Sequence, residues 1–181
     1  ALEAVHPVLG GLWVVPVIAL GGLCAGLAAK WFAPETRGHG VPEVMAAVAR
    51  TGGRLRARVA VVKLAAAALT IGSGGSAGRE GPIVHIGATW GSALAQFLRF
   101  PDRMITLCVA CGAAGGIAAT FNAPMAGVLF TLEVVVRRFT TRYFGLVVIS
   151  SAVATVTMRA LSRTGDYPWF PLHPGYRLVG M

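Results

Sequence analysis

The sequence predicts an all-α protein that crosses a membrane several times. Hydrophobic residues make up 55% of its 181 residues and charged residues only 13%, with a mean hydropathy of +0.69. A soluble domain of this size cannot hide so much apolar surface, because a large part of its surface stays in contact with water. Long apolar runs approach or exceed the roughly 20 residues that a helix needs to cross hydrocarbon. Glycine and proline interrupt these runs, which predicts short and broken helices among the spanning ones.

The first part of the chain predicts two long helices separated by a short one. The helix over 8–32 carries a stripe of small residues that lets a neighbouring helix approach closely. Its apolar run is longer than the core of a signal peptide, so we interpret it as a span. Pro34 ends it, and Pro42 opens a helix over about 42–50 that is too short to cross. A third helix, about 58–72, runs into glycine-rich sequence where regular backbone should be lost.

The second part predicts four further helices, which proline again delimits. Pro82 opens a helix to about residue 97, and Pro101 precedes another that runs to about residue 119. Each of these two carries glycines four residues apart, the spacing of helices that pack closely in membranes. Asn122 is a capping residue and Pro124 a helix-starting one, which predicts a sixth helix to about residue 137. The last predicted helix covers about 142–162.

Positive charge is concentrated in one segment of the chain. Sixteen lysines and arginines outnumber seven acidic residues, but no basic face interleaved with stacking aromatic residues is present, so we expect no nucleic-acid partner. The charges crowd between the first two long spans, and the positive-inside rule therefore predicts that this segment is cytoplasmic. The residues concerned are Lys30, Arg37, Arg50, Arg54, Arg56, Arg58 and Lys63.

Neither the cysteines nor the glycine-rich run predicts a cofactor or a metal. Cys108 and Cys111 have the spacing of a metal-binding pair, but no second pair lies nearby. The run 72–77 matches a dinucleotide fingerprint in spacing, yet an apolar helix rather than a strand precedes it. The acids, histidines and cysteines form no catalytic constellation, so we do not expect an enzyme. A membrane-embedded enzyme, a cofactor-binding subunit and a purely structural subunit are the alternatives.

Glu80 is the most informative single residue. The sequence Gly78-Arg79-Glu80-Gly81-Pro82 places its carboxylate just before a helix-opening proline inside apolar sequence. A helix N-terminus carries about half a positive charge and amides without intrahelical partners, so it attracts an anion. A charged residue at the bilayer centre costs about 2.5–3.5 kcal/mol on insertion scales, which favours a role in a transport pathway. The alternative is a capping carboxylate paired with Arg79.

Two further proline-opened helices begin inside or beside apolar sequence, at Pro42 and Pro124. Helix N-termini that converge near the midplane hold an anion without a full ionic bond, and conduction needs such weak binding. The alternative is that each proline only separates helices. Two other polar residues have ordinary interpretations: Glu133 is expected to pair with Arg137 one turn later, and His85 to be a hydrogen-bonded packing residue.

Three motifs, in this order along the chain, resemble the signature motifs of the CLC chloride channels and chloride/proton antiporters. They are Gly38-His39-Gly40-Val41-Pro42, Gly78-Arg79-Glu80-Gly81-Pro82, and the run from Phe121-Asn122-Ala123-Pro124 to Glu133. The resemblance implies a CLC-type bundle of tilted and re-entrant helices, in a homodimer whose subunits each contain two inverted halves. Residues 1–165 would form most of the first half, and 166–181 a loop leading to the second.

The resemblance also implies an anion site. Glu80 matches the glutamate that gates the family's pathway, whose carboxylate competes with chloride and leaves when protonated. The expected transported ligand is chloride or another small anion, and the expected setting is a lipid bilayer, a bacterial inner membrane given the excess of arginine over lysine. The residues that would contact the anion are Gly38, His39, Gly40, Val41, Arg79, Glu80 and Gly81.

The chain departs from the family pattern at two positions. His39 stands where most members carry a serine that touches the central anion, so nitrate and fluoride are alternatives to chloride. Val134 stands where antiporters usually hold an internal glutamate that relays protons. The second departure favours a voltage- or proton-gated channel over an antiporter, which is the alternative.

Overall fold

The computed structural model describes residues 14–32, 38–137 and 141–161, and these form only helices and their connections. The predicted all-α fold is thereby confirmed for this part of the chain. Residues 8–13 of the first predicted helix and the predicted loop 166–181 lie outside the described residues. The elements are α1 Val14–Phe32, α2 Val41–Thr51, α3 Ala57–Gly72, α4 Glu80–Phe97, α5 Asp102–Phe121, α6 Pro124–Phe130, a π-helical turn Thr131–Val136, and α7 Thr141–Leu161.

Two predicted helix ends are wrong in detail. Helix α4 begins at Glu80, so Pro82 is its third residue rather than its first. Proline fits there because amides in the first turn have no intrahelical partner. Asn122 does not cap α6: its left-handed backbone, with φ of 53°, ends α5, and Ala123 precedes α6. The Asn122 Oδ1 instead accepts a hydrogen bond of 2.8 Å from Arg159 Nε, which ties the end of α5 to α7.

The sixth predicted helix changes its geometry halfway. After Phe130 the chain forms the π-helical turn, which ends at Arg137 with φ of 52°. Arg137 follows the last residue of this turn, and its left-handed backbone carries its side chain off the helical path that holds Glu133. The predicted pair of Glu133 with Arg137 is accordingly wrong. An ion pair that does form joins Arg54 to Asp102, at 2.9 Å on the surface.

Helix α5 is the centre of the fold and packs against α4, α6 and α7. On one side its Ile105 and Val109 join Val44 of α2 and Val84 of α4 in a buried apolar cluster. A second cluster lies on its other side, toward α6 and α7. Helix α1 packs on α3, which in turn packs on α4. Burial of α5 on both sides explains why its sequence is apolar all round rather than on one stripe.

The prediction that α4 and α5 each pack closely against a neighbour is confirmed, and the structure shows that they pack on each other. A Cβ added to Gly87 would overlap the carbonyl oxygen of Gly112, and a Cβ added to Gly112 would overlap that of Gly87. Gly91 lies in the same way against the carbonyl of Cys108. Small residues that let two backbones touch are the usual means of helix association in lipid, where no hydrophobic effect drives helices together.

Three described helices are long and apolar enough to cross a membrane: Val15–Phe32, Asp102–Phe121 and Tyr143–Leu161. Helices α1 and α7 also expose large apolar side chains, such as Leu23 and Val156. Such faces are normal where lipid or other membrane helices cover them. These features are those of an integral membrane protein, and α2 and α6 are too short to span a membrane.

We expect Gly112→Ala to destabilise the complete protein by about 1–3 kcal/mol, the usual cost of overpacking. The added methyl group meets the Gly87 backbone, which cannot move without shifting all of α4. The effect is measured as the midpoint of thermal unfolding in detergent, with size-exclusion chromatography reporting the fraction of folded protein at each temperature. Gly145→Ala on α7 is the matched control, since nothing lies within 4 Å of its added Cβ. Equal midpoints for the two variants would contradict the tight contact.

Candidate anion site

The first motif forms a tight loop ahead of α2. Gly40 precedes the helix with φ of 103° and ψ of −48°, a conformation that favours glycine. Its backbone N–H donates to Glu43 Oε2 at 2.6 Å, and its carbonyl accepts from the Val44 N–H at 3.1 Å. The Glu43 carboxylate also fills the space beside Gly38 where a Cβ would lie. The Gly40 amide is therefore engaged within the loop rather than directed at a ligand.

The second motif forms the N-terminus of α4. The amides of Glu80 and Gly81 are the first two of this helix, so they have no carbonyl to bond within it. Pro82 has no amide, and the Ile83 amide already bonds to the Arg79 carbonyl at 3.1 Å. The Arg79 guanidinium lies over the ring of Phe121, 5.9 Å from its centre, in a cation–π contact. The helix start thus presents two amides beside the exposed Glu80 side chain.

The two motifs touch each other through their backbones. A Cβ added to Gly81 would overlap the carbonyl oxygen of His39. A Cβ added to Gly40 would overlap the Gly81 carbonyl and lie 3.1 Å from the His85 Cβ. The sequence separates these glycines by some forty residues, and only the absence of side chains on both lets the two loops meet.

The third motif lines a cavity together with the first two motifs. This cavity, the gate cavity, has a volume of about 510 Å³, and Glu80 is the charged side chain in its wall. Aromatic rings from Phe121 and Phe130 face it from the start and end of the third motif. Its full lining is His39, Val41, Gly78, Glu80, Gly81, Pro82, Val84, Ile117, Phe121, Ala126 and Phe130.

The seven predicted site residues are therefore distributed unevenly. His39, Val41, Glu80 and Gly81 line the gate cavity, whereas Gly40 is buried in the loop. Gly38, together with His39, lines a second cavity of about 660 Å³ on the side of α1 and α3. Arg79 lines a third, of about 310 Å³, with Ile83 and Met158. The first two motifs thus meet at His39, Gly40 and Gly81. The predicted residues Gly38, Gly40 and Arg79 do not line the gate cavity.

Two residues that support the site could not be recognised as such from the sequence motifs. Lys63 was grouped with the cytoplasmic charges of a connecting segment, which is wrong: it lies inside α3, only 7% exposed, and its Nζ donates to the Gly38 carbonyl. The sequence likewise did not single out Glu43, whose carboxylate holds the Gly40 amide. A signal for Lys63 was present, since it is the single charged residue between Arg58 and Arg79 in otherwise apolar sequence.

His85 packs behind this loop, as predicted, with 1% of its surface exposed. Its Nδ1, however, has no hydrogen-bond partner among the described residues, so the predicted hydrogen bonding is wrong for this atom. The π-helical turn contains a second such atom, the hydroxyl oxygen of Thr131.

The family comparison agrees with this geometry. A family model described as "Voltage gated chloride channel" matches residues 21–179. The chain belongs to this family, the CLC proteins. Its relatives include a "ClcB-like" protein of Ralstonia nicotianae, 38% identical over 143 residues, which are 77% of this chain and 33% of the relative. The predicted family is thereby confirmed.

Two other CLC relatives carry more specific names. An "H(+)/Cl(-) exchange transporter ClcA" of Vibrio vulnificus is 37% identical over 72% of this chain and 29% of the relative. A "Voltage-gated ClC-type chloride channel ClcB" of Yersinia pestis is 37% identical over 79% of this chain and 35% of the relative. The chain spans about a third of the length of these CLC relatives, and their names include both an exchanger and a channel.

Proposed function

We propose that the complete protein carries chloride or another small anion across a membrane, with Glu80 as the gate. The observation that carries this proposal is the convergence of the three motifs on the gate cavity. In that cavity the N-terminus of α4 offers positive potential and two amides, and Glu80 is the side chain that competes for them. Names of the relatives, which refer to chloride channels and exchangers, support the same substrate.

The proposed gate works by competition between two negative groups. When ionised, the Glu80 carboxylate occupies the positive end of α4 and excludes an anion from it. Protonation removes the charge, so the carboxyl group leaves and an anion takes its place. Backbone amides and a helix dipole bind the anion without a fixed opposite charge in the wall, and this binding is weak enough for rapid release. Val41, Phe121 and Phe130 give the wall its apolar character.

Within this function we propose a channel rather than an exchanger. Val134 stands where the family's exchangers usually hold an internal proton-relaying acid, and it cannot carry a proton. The second candidate is a chloride/proton exchanger, which the similarity to an exchange transporter favours. We further propose that the complete protein is a homodimer in a bacterial inner membrane, since the named relatives come from bacteria.

Simultaneous recording of anion and proton fluxes tests the proposal. The full-length protein is reconstituted in vesicles, and chloride, nitrate and fluoride gradients are applied with and without a pH gradient. We expect chloride efflux whose reversal potential ignores the pH gradient. Proton movement in fixed ratio to chloride would establish the exchanger instead, and no flux above that of empty vesicles for any of the three anions would refute anion transport.

We predict that the charged segment between α2 and α3 faces the cytoplasm. Arg50, Arg54, Arg56 and Arg58 are all exposed at this end of the bundle, as the positive-inside rule requires of a cytoplasmic loop. A cysteine placed at Arg54, with Cys24, Cys108 and Cys111 replaced by serine, should react with an impermeant maleimide only in inverted vesicles. Labelling from outside intact cells would reverse the topology.

A further inference from the structure

Two side chains from different helices hold the loop Gly38–Gly40 from opposite ends. The Glu43 carboxylate of α2 accepts a hydrogen bond of 2.6 Å from the Gly40 N–H, and the Lys63 ammonium of α3 donates one to the Gly38 carbonyl. The charges of Glu43 and Lys63 also attract each other. The loop that touches the start of α4 is therefore fixed by a buried cation and a partly buried anion.

A buried lysine in this place requires an explanation beyond packing. Lysine is almost never buried without a partner, because removing its charge from water is costly. Helix α3 is otherwise built from alanine, valine, leucine and other uncharged residues around this position, and a leucine or methionine would fill the same space at lower cost. The partners of Lys63 offset the cost, and one of them is a carbonyl of the first motif.

The hydrogen bond from Lys63 sets the direction of one peptide plane. In a trans peptide the carbonyl of one residue and the N–H of the next point in opposite directions. Because Lys63 draws the Gly38 carbonyl toward α3, the His39 N–H is turned away from α3. In the same way the Glu43 carboxylate binds the Gly40 N–H. The carbonyl of the same peptide, that of His39, therefore points away from Glu43, and it lies against Gly81.

We propose that Lys63 is a positioning residue that sets the affinity of the anion site through the Gly38–His39 peptide. This inference rests on the proposed transport of anions. Loss of the lysine lets that peptide plane rotate, so the His39 backbone loses its orientation beside Gly81 and the start of α4. The positive charge of Lys63 also favours an anion on the other side of the loop, because the low-polarity surroundings screen it weakly.

The test uses the full-length protein in vesicles and compares Lys63→Met with Lys30→Met. Lys30 lines the same 660 Å³ cavity as Lys63 but is exposed at the end of α1, and it makes no hydrogen bond within the described ranges. The half-saturating chloride concentration and the maximal flux are measured for each. We expect Lys63→Met to raise the half-saturating concentration about tenfold or more, the effect of losing a charged hydrogen bond. Lys30→Met should match the wild type.

A purely structural role predicts a different pattern. It would lower the amount of folded protein and the maximal flux, while the half-saturating concentration stays unchanged. That result for Lys63→Met would overturn the proposal. Flux absent from the wild type would instead refute the proposed function, so the two failures are distinguishable.

Two further variants decide the matter if Lys63→Met does not give a monodisperse protein. Lys63→Arg keeps both the charge and the donor, and Lys63→Gln keeps a donor without the charge. We expect near wild-type chloride affinity from Lys63→Arg and weaker affinity from Lys63→Gln. Wild-type affinity in both variants would overturn the proposal, as would equal losses in both.

Discussion

Replacing Gly81 with alanine is expected to abolish anion transport by the complete protein. The added Cβ would overlap the carbonyl oxygen of His39, which belongs to the backbone of the other glycine motif. Backbone cannot rotate away as a side chain can, so either the start of α4 or the loop before α2 must move. Both carry the proposed anion site, and a shift of either displaces the two amides from the gate cavity.

Overpacking of this kind also costs about 1–3 kcal/mol of stability, so flux and folding have to be measured on the same preparation. The amount of folded protein is determined by size-exclusion chromatography, and chloride efflux is divided by that amount. This ratio separates the loss of transport from the loss of folded protein. Gly22→Ala is the matched control, because a Cβ there meets nothing within 4 Å. Efflux by folded Gly81→Ala protein at the control's rate would show that the contact between the motifs does not shape the pathway.

Replacing Glu80 with glutamine is expected to remove the pH dependence of flux while flux itself persists. In the wild type the ionised carboxylate competes with the anion, so flux should rise as the pH falls and Glu80 takes up a proton. Glutamine has the same shape as the protonated acid and stays neutral at every pH, so the variant should behave at alkaline pH as the wild type does at acidic pH. Chloride efflux across a pH series in symmetrical buffers measures this.

Asp102→Asn is the control for Glu80→Gln. It removes an exposed carboxylate at the start of α5, where Asp102 pairs with Arg54 on the surface. Exposed pairs of this kind contribute only about 0–1 kcal/mol, so this variant should keep both the flux and the pH response of the wild type. A Glu80→Gln protein that still opens as the pH falls would remove Glu80 from the gate.

Most of the fold could be predicted because the length and the ends of a membrane helix are encoded in its own segment of sequence. An apolar run long enough for hydrocarbon, closed by proline or glycine, indicates both facts within one segment of sequence. The predicted ends of α2 and α7 accordingly lie within about one residue of the observed ones. Close packing of α4 and of α5 against some neighbour was equally predictable, since glycines four residues apart leave a flat helix face, but the sequence did not predict that these two helices pack on each other.

The motifs of the candidate site could be predicted from the sequence, but the side chains that hold those motifs in place could not. The motifs contain unusual local chemistry, in particular the carboxylate of Glu80 ahead of a proline in apolar sequence. Lys63, by contrast, was grouped with surface charges, because nothing local shows that its ammonium reaches a carbonyl 25 residues earlier in the chain. The turn after Phe130 was missed for a similar reason, since its pattern suits an α-helix as well as a π-helix.

By itself, then, the sequence determined that this chain forms membrane helices, where most of them begin and end, and which three segments carry the motifs of the CLC family. Those properties depend on the apolarity and backbone freedom of neighbouring residues. Only the tertiary structure decided that Gly40 and Gly81 touch, that Lys63 and Glu43 hold the loop between them, and that the Gly40 amide is already engaged. Contacts of this kind depend on which distant backbones meet, and no local pattern encodes that meeting.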